Sequence, residues 1–224
     1  MITINILRAI HKWLEPYKYD NEVEEPIKHR STEKKHVKVR KLTKADKKPT
    51  ELDAVKRGEL GVQIITLNNA LDSDIAFQRL DKSKSHIAYY YHSQDKHQIA
   101  VRFEAGSGFR FYKRNDLKRK SFKPLIYPMY QTYDKTHLIP VGFHGSENDS
   151  RLLVGWSSKL NRGSIKRHED KVIHINKDHT VYWYVDIERK GKKGAFWTST
   201  VWFEDGTVAD KRKFYDKSQF HWEA

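Results

Sequence analysis

Cysteine is absent from the 224-residue chain. Disulfides and cysteine-ligated zinc are therefore excluded, and any bound metal must be held by His, Asn, Asp, Glu or water. The lack of thiols suits a reducing cytoplasm and equally an exported protein, so it leaves the compartment open. Long apolar runs are missing too: no stretch approaches the roughly 20 residues of a membrane-spanning helix. The opening MITINILRAIHKWLEP is too interrupted for a secretory signal. The cytoplasm is the default location, with non-classical export as the alternative. Acidic residues are also scarce: 29 Asp and Glu stand against 43 Lys and Arg, a formal net charge of +14. Solubility alone needs a smaller excess. The charge points to a polyanionic partner, nucleic acid before an anionic membrane surface.

What is present divides into two parts. Residues 1–50 read as an amphipathic helix followed by a basic flexible arm. Ile6, Ile10, Trp13 and Leu14 keep helical spacing until Pro16. Such a helix would dock on its own domain or on a partner, an inhibitor protein for example. KHRSTEKKHVKVRKLTKADKK (28–48) is too charged and too poor in apolar residues to fold alone. It would bind phosphates or act as a solvated tether. Residues 51–224 are long enough to bury a core without staples.

In that second part the signals are mostly those of strands. ELGVQIITL (59–67) is β-rich, and HIAYYYH (86–92) and QIAVRF (98–103) flank a polar turn as a hairpin. SDIAFQRL (73–80) suits one or two helical turns, and FRFYKR (109–114) another strand. In TVYWYVDIE, Val181, Trp183, Val185 and Ile187 alternate with Tyr182, Tyr184, Asp186 and Glu188, the pattern of a half-buried strand. A Gly-rich turn at 190–194 leads to AFWTSTVWF, and Asp205-Gly206 turns into TVADKRKF. The six Trp suit core and sheet packing better than base stacking. Between these regions a strand carries His137 at its edge, with Leu138 and Ile139 opening its buried run, and a long loop follows. A helix from about Lys159 to Ile175 comes next, with Ser157 or Ser158 placed to cap it.

Three residues of this stretch carry chemistry together that none carries alone. His137 sits beside an apolar run, Asn161 near a helix start, and Glu169 eight residues on. A histidine there is ordinarily structural, an Asn there ordinarily a cap, and a Glu beside Lys166 and Arg167 ordinarily a surface pair.

The combination resembles the DNA/RNA non-specific endonucleases of the ββα-metal (His-Me finger) superfamily. The family's Asp-Arg-Gly-His signature is echoed by Asp134-Lys135-Thr136-His137. Its later Leu-Asn-x-Gly…Glu pattern is echoed by Leu160-Asn161-Arg162-Gly163 and Glu169. The likeness covers Tyr133–Asp170 well, the flanking strands only by element order, and residues 1–50 not at all. It implies an α+β fold, an antiparallel sheet core with an inserted ββα-metal motif. His137 would be the general base, since a neutral imidazole can take a proton from water near pH 7. Asn161 would be the single side-chain ligand of Mg²⁺, for which Mn²⁺ can substitute. Glu169 would orient the waters around the ion. Lys135 would neutralise the phosphate in the transition state. The implied activity is endonucleolytic hydrolysis of DNA, and of RNA as a second substrate, without sequence preference, leaving 5′-phosphates. Asp134 would hold a turn.

Three positions depart from the family. Lys135 keeps the charge but loses the bidentate fork of Arg. Thr136 stands where a Gly would let the backbone turn closely. Leu152 stands where a second Asn is common, with Asn148 and Arg151 nearby. These departures keep a catalytically weak or inactive nucleic-acid-binding protein as the alternative. The basic residues expected to hold the phosphate backbone are Arg110, Lys113, Arg114, Arg151, Lys159, Arg162, Lys166 and Arg167.

Overall fold

A computed structural model of the chain describes residues 61–109, 116–191 and 194–223. The amphipathic helix, the basic arm, the boundary at residue 50, most of the FRFYKR strand, and Arg110, Lys113 and Arg114 lie outside the described residues.

The fold is mixed α+β around a mostly antiparallel sheet. The first elements are β1 (Gln63–Thr66), α1 (Ser73–Asp81), β2 (Ile87–His92) and β3 (Lys96–Phe103). The C-terminal meander is β7 (Val181–Arg189), β8 (Ala195–Trp202) and β9 (Val208–Asp216). They form one six-stranded sheet in the order β1-β2-β3-β7-β8-β9, with only the β1–β2 pair parallel. Between β3 and β7 the chain builds the layer that carries the site. It runs through α2 (Asp116–Ser121), β4 (Ile126–Pro128), β5 (Tyr133–His137), α3 (Val141–His144) and β6 (Leu153–Ser157). A helical turn at Ser158–Leu160 widens into a π-helical turn at Asn161–Ile165 and continues as α4 (Lys166–Asn176). The short β10 (Phe220–Trp222) pairs with β4. Among the described residues no helix is long and apolar enough to cross a membrane.

The alternation in β7 does what its spacing predicts on one face. Trp183, Val185 and Ile187 join Trp156, Trp197, Phe103 and Val172 in the main core. The other face differs from the half-buried expectation. Tyr182 and Tyr184 are buried as well, under Leu71, Ala76 and Leu80 at α1. The phenol of Tyr184 donates to the Leu71 carbonyl at 2.6 Å, which lets a polar aromatic be buried without an unmet hydrogen bond. Asp72 caps α1 by accepting from the Ile75 amide.

The stretch from Leu138 to α4 corrects the sequence reading. The strand ends at His137 rather than opening a buried run there, although Leu138 and Ile139 are both buried. The expected long loop contains a second strand, β6, paired antiparallel with β5 so that Thr136 faces Val154 and His137 faces Leu153. Neither Ser157 nor Ser158 caps the helix by its side chain. The Ser158 hydroxyl donates instead to Asp134 across the hairpin.

Candidate active-site cleft

The β5–β6 hairpin and the helix that follows it enclose a cleft of about 640 Å³. Tyr133, Asp134, Lys135, Thr136 and His137 enter it from β5. Asn161, Arg162, Lys166 and Glu169 enter from the helix, and Arg119 and Lys120 from α2. The four residues assigned chemistry from the sequence, His137, Lys135, Asn161 and Glu169, thus face one space.

The helix is what brings two of them together. In an unbroken α-helix position i+8 lies about 80° round the axis from position i. The π-helical turn at Asn161–Ile165 places more residues in each turn. Glu169 is thereby swung back toward the side that carries Asn161.

Asp134 joins strand to helix. Its carboxylate accepts from Ser158 Oγ and Asn161 Nδ2 at 3.0 Å each, and from Arg162 Nε and a terminal guanidinium nitrogen at 2.8 Å each. The Arg162 hydrogen bonds above all hold this carboxyl down at about 2. The Asn161 bond decides more for the site. A carboxylate only accepts, so the amide nitrogen must face Asp134 and the amide oxygen must face elsewhere. That oxygen is the hard donor a Mg²⁺ ion would need. Asp134 therefore does more than hold a turn.

His137 is 6 % exposed. Its Nε2 lies 3.0 Å from the Ser146 carbonyl, which only accepts, so Nε2 carries the proton in the neutral ring and the lone pair is at Nδ1. Oε2 of Glu147 lies 3.5 Å from the same Nε2. Glu147 is buried, and Arg119 Nε lies 4.0 Å from the same oxygen. It comes from a polar loop with no periodicity, and no signal in the sequence marked it.

Lys135 lines the cleft, but its ammonium donates to the carbonyls of Arg119 and Lys120 at 2.8 and 2.5 Å. It caps the C-terminal end of α2, where a cation suits the helix dipole. Burial, then the Arg119 charge, lowers its pKa. Thr136 lies in regular strand with no left-handed backbone, so the geometry that would call for glycine does not arise. Leu152 is buried in the core, and the nearby Asn148 is exposed.

Of the residues expected at phosphates, Arg162 and Lys166 border the cleft, paired with Asp134 and Asp170 respectively. Lys159 and Arg167 are exposed on the same helical stretch, outside the lining. Arg151 is turned to Asp149 in a two-pronged pair at 3.0 and 2.7 Å. Arg119 and Lys120 are the cations α2 adds to the border.

The back of α4 is pinned to the large sheet. His168 Nδ1 meets Asp210 at 2.7 Å, and its Nε2 meets Ser199 Oγ at 2.8 Å. Ser199 Oγ also accepts from Trp183 Nε1 at 2.8 Å. The order Asp–His–Ser is that of a nucleophilic triad, but Ser199 is 1 % exposed beneath the sheet and reaches no cleft. Burial lowers the His168 pKa against the pull of Asp210. Burial raises Asp210, and its bonds from Lys171 and His168 bring it below the ordinary value. This network fixes the rotation of α4 and so the direction in which Lys166 and Glu169 point.

No cluster of three or more His, Asp or Glu is arranged to hold a metal among the described residues. Beside the Asp134 carboxylate, which is taken up by Ser158, Asn161 and Arg162, the oxygen donors lining the cleft are the side chains of Asn161 and Glu169, hard ligands that fit an ion keeping most of its own waters, as Mg²⁺ does. Comparison of the chain with family models, with characterised proteins and with solved structures finds no match.

Proposed function

We propose that this protein is a Mg²⁺-dependent endonuclease of the ββα-metal type, hydrolysing DNA, and RNA as a second substrate, without reading sequence. The observation that carries the reading is one cleft in which a hairpin presents His137 opposite Asn161 and Glu169 on the following helix. Its cationic border, Arg119, Lys120, Lys135, Arg162 and Lys166, is suited to phosphates.

The chain's own part in hydrolysis follows from these contacts. The Ser146 carbonyl sets the tautomer of His137 and leaves Nδ1 as the base that takes a proton from the attacking water. The ring then becomes an imidazolium with Glu147 3.5 Å away, and that carboxylate stabilises the new charge. Asn161, turned by Asp134, and Glu169 are the residues that would hold the ion and its waters. When bound, Mg²⁺ supplies neutralisation of the phosphate and of the departing oxygen.

The test is plasmid nicking with Mg²⁺ or Mn²⁺, with and without chelator. Chelator-sensitive nicking that disappears in His137→Ala supports the enzyme. A second reading, a nuclease fold that binds without cutting, is favoured by one observation: the Lys135 ammonium is already taken up by two backbone carbonyls. Tight, salt-sensitive binding with no cleavage in either metal would establish that reading instead.

A further inference from the structure

An aromatic row leads out of the cleft. Tyr133 lines the cleft itself. The Tyr127 ring lies 5.4 Å from it with planes 27° apart, and His221 lies 4.6 Å beyond Tyr127 at 29°. The row is built by pairing, since His221 of β10 stands directly opposite Tyr127 of β4. It is seated on Gly155 of β6. A Cβ there would fall 2.4 Å from Tyr127 Cβ and 2.7 Å from Tyr133 Cδ2, so any larger residue would push the rings apart. All three rings are only partly buried, and none belongs to the two core clusters.

The surroundings suit an anionic, planar ligand. Lys123 Nζ stands 5.7 Å over the Tyr127 ring, and Arg119 and Lys120 border the cleft that Tyr133 also lines. In the turn between β4 and β5, Tyr130 is 89 % exposed and its backbone is left-handed, with φ of 65°. A tyrosine held outward on that backbone gains nothing from packing and costs conformational energy.

We propose that this surface is a stacking track for unpaired bases, and that the protein therefore prefers single-stranded nucleic acid to duplex. The proposal rests on the nuclease reading for its place beside the scissile phosphate. A base on the open end of the row at Tyr133 and another on Tyr130 would be gripped by their faces, which every base offers and a duplex hides. Cations along the row take the backbone. This combination binds strands without choosing sequence.

The experiment uses the full chain. Binding of a fluorescent single-stranded oligonucleotide and of a blunt duplex of equal length is measured by anisotropy in chelator, so that nothing is cut. Tyr133→Leu and Tyr130→Ala are each expected to weaken single-strand binding about ten-fold, and Tyr130→Ala, outside the cleft lining, should leave duplex binding unchanged. Tyr133→Phe, which keeps the ring, should bind like the wild type. Tyr130 is exposed, so its variant tests the track even where Tyr133→Leu does not fold. Equal losses on both ligands, or none on the single strand, overturn the proposal. Cleavage with Mg²⁺ separates the two claims. Tyrosine-dependent strand binding without cleavage in any metal removes the nuclease and leaves the track. Cleavage with an unaltered single-strand-to-duplex ratio in both variants removes the track and leaves the nuclease.

Discussion

Replacing Asp134 by Asn should loosen the protein and its cleft together. The carboxylate is 19 % exposed and accepts from Ser158 Oγ and Asn161 Nδ2. Hydrogen bonds to a charged acceptor contribute about 1.5–3 kcal/mol each when sheltered. Partial exposure brings the two to the lower end, and an amide in place of the carboxylate turns a donor toward at least one of them. The loss is about 2–3 kcal/mol. The Arg162 fork adds nothing to this figure, because that guanidinium stands in solvent. For a domain of this size each kcal/mol moves the melting midpoint by about 2–4 °C, so Asp134→Asn should melt roughly 5–10 °C lower at neutral pH.

The pH dependence sharpens the test. The folded pKa of Asp134 is depressed to about 2 from 3.8. Its contribution is therefore fully present above about pH 4 and is lost as pH falls toward the folded value. The gap between wild type and variant in thermal circular dichroism should be constant from neutral pH down to about pH 4 and narrow below it. Coincident midpoints at neutral pH, or a gap that widens on acidification, would refute the role given to Asp134. On the nuclease reading the variant also frees the Asn161 amide to turn over, so half-maximal cleavage should need more Mg²⁺.

Two further perturbations follow from buried groups. Glu147→Gln keeps the shape beside His137 and removes the charge, so on the nuclease reading cleavage should slow about ten- to hundred-fold with DNA affinity retained. An unchanged turnover rate would mean that Glu147 only packs. His97 and His144 are held neutral, at about 3 and about 4, by burial above all. Unfolded they titrate near 6.5, so the unfolded state gains protons first and stability declines as pH falls below that value. Between about pH 6.5 and 5 the two cost about 3 kcal/mol together, and a urea midpoint that stays flat over that range would contradict their burial as neutral rings.

The large sheet was legible because its signals are local. The β2–β3 hairpin and the β7–β9 meander are set by alternation and by turn residues close in sequence. What escaped depends on distant partners. LVGWS is five residues with a glycine in the middle, and it becomes β6 because β5 lies beside it. The far face of β7 counted as exposed because the residues that cover it, around α1, lie about a hundred positions upstream.

The cleft repeats this division. His137, Asn161 and Glu169 could be picked out by residue type and order, yet an eight-residue spacing on a regular helix does not bring the last two onto one side. Their convergence needs the π-helical turn, and Asn161–Ile165 carries no composition that announces it. The turn begins where Asp134 grips Asn161 and Arg162 from across the hairpin, while His168 is fixed on the other side by Asp210 and Ser199. Helical phase between these two anchors is set by tertiary contacts at both ends. The chain between them must take up the difference, and a widened turn is one way to do so. Asp134, read from the sequence as a turn residue, and His168 are thus the two residues that aim the side chains of the cleft.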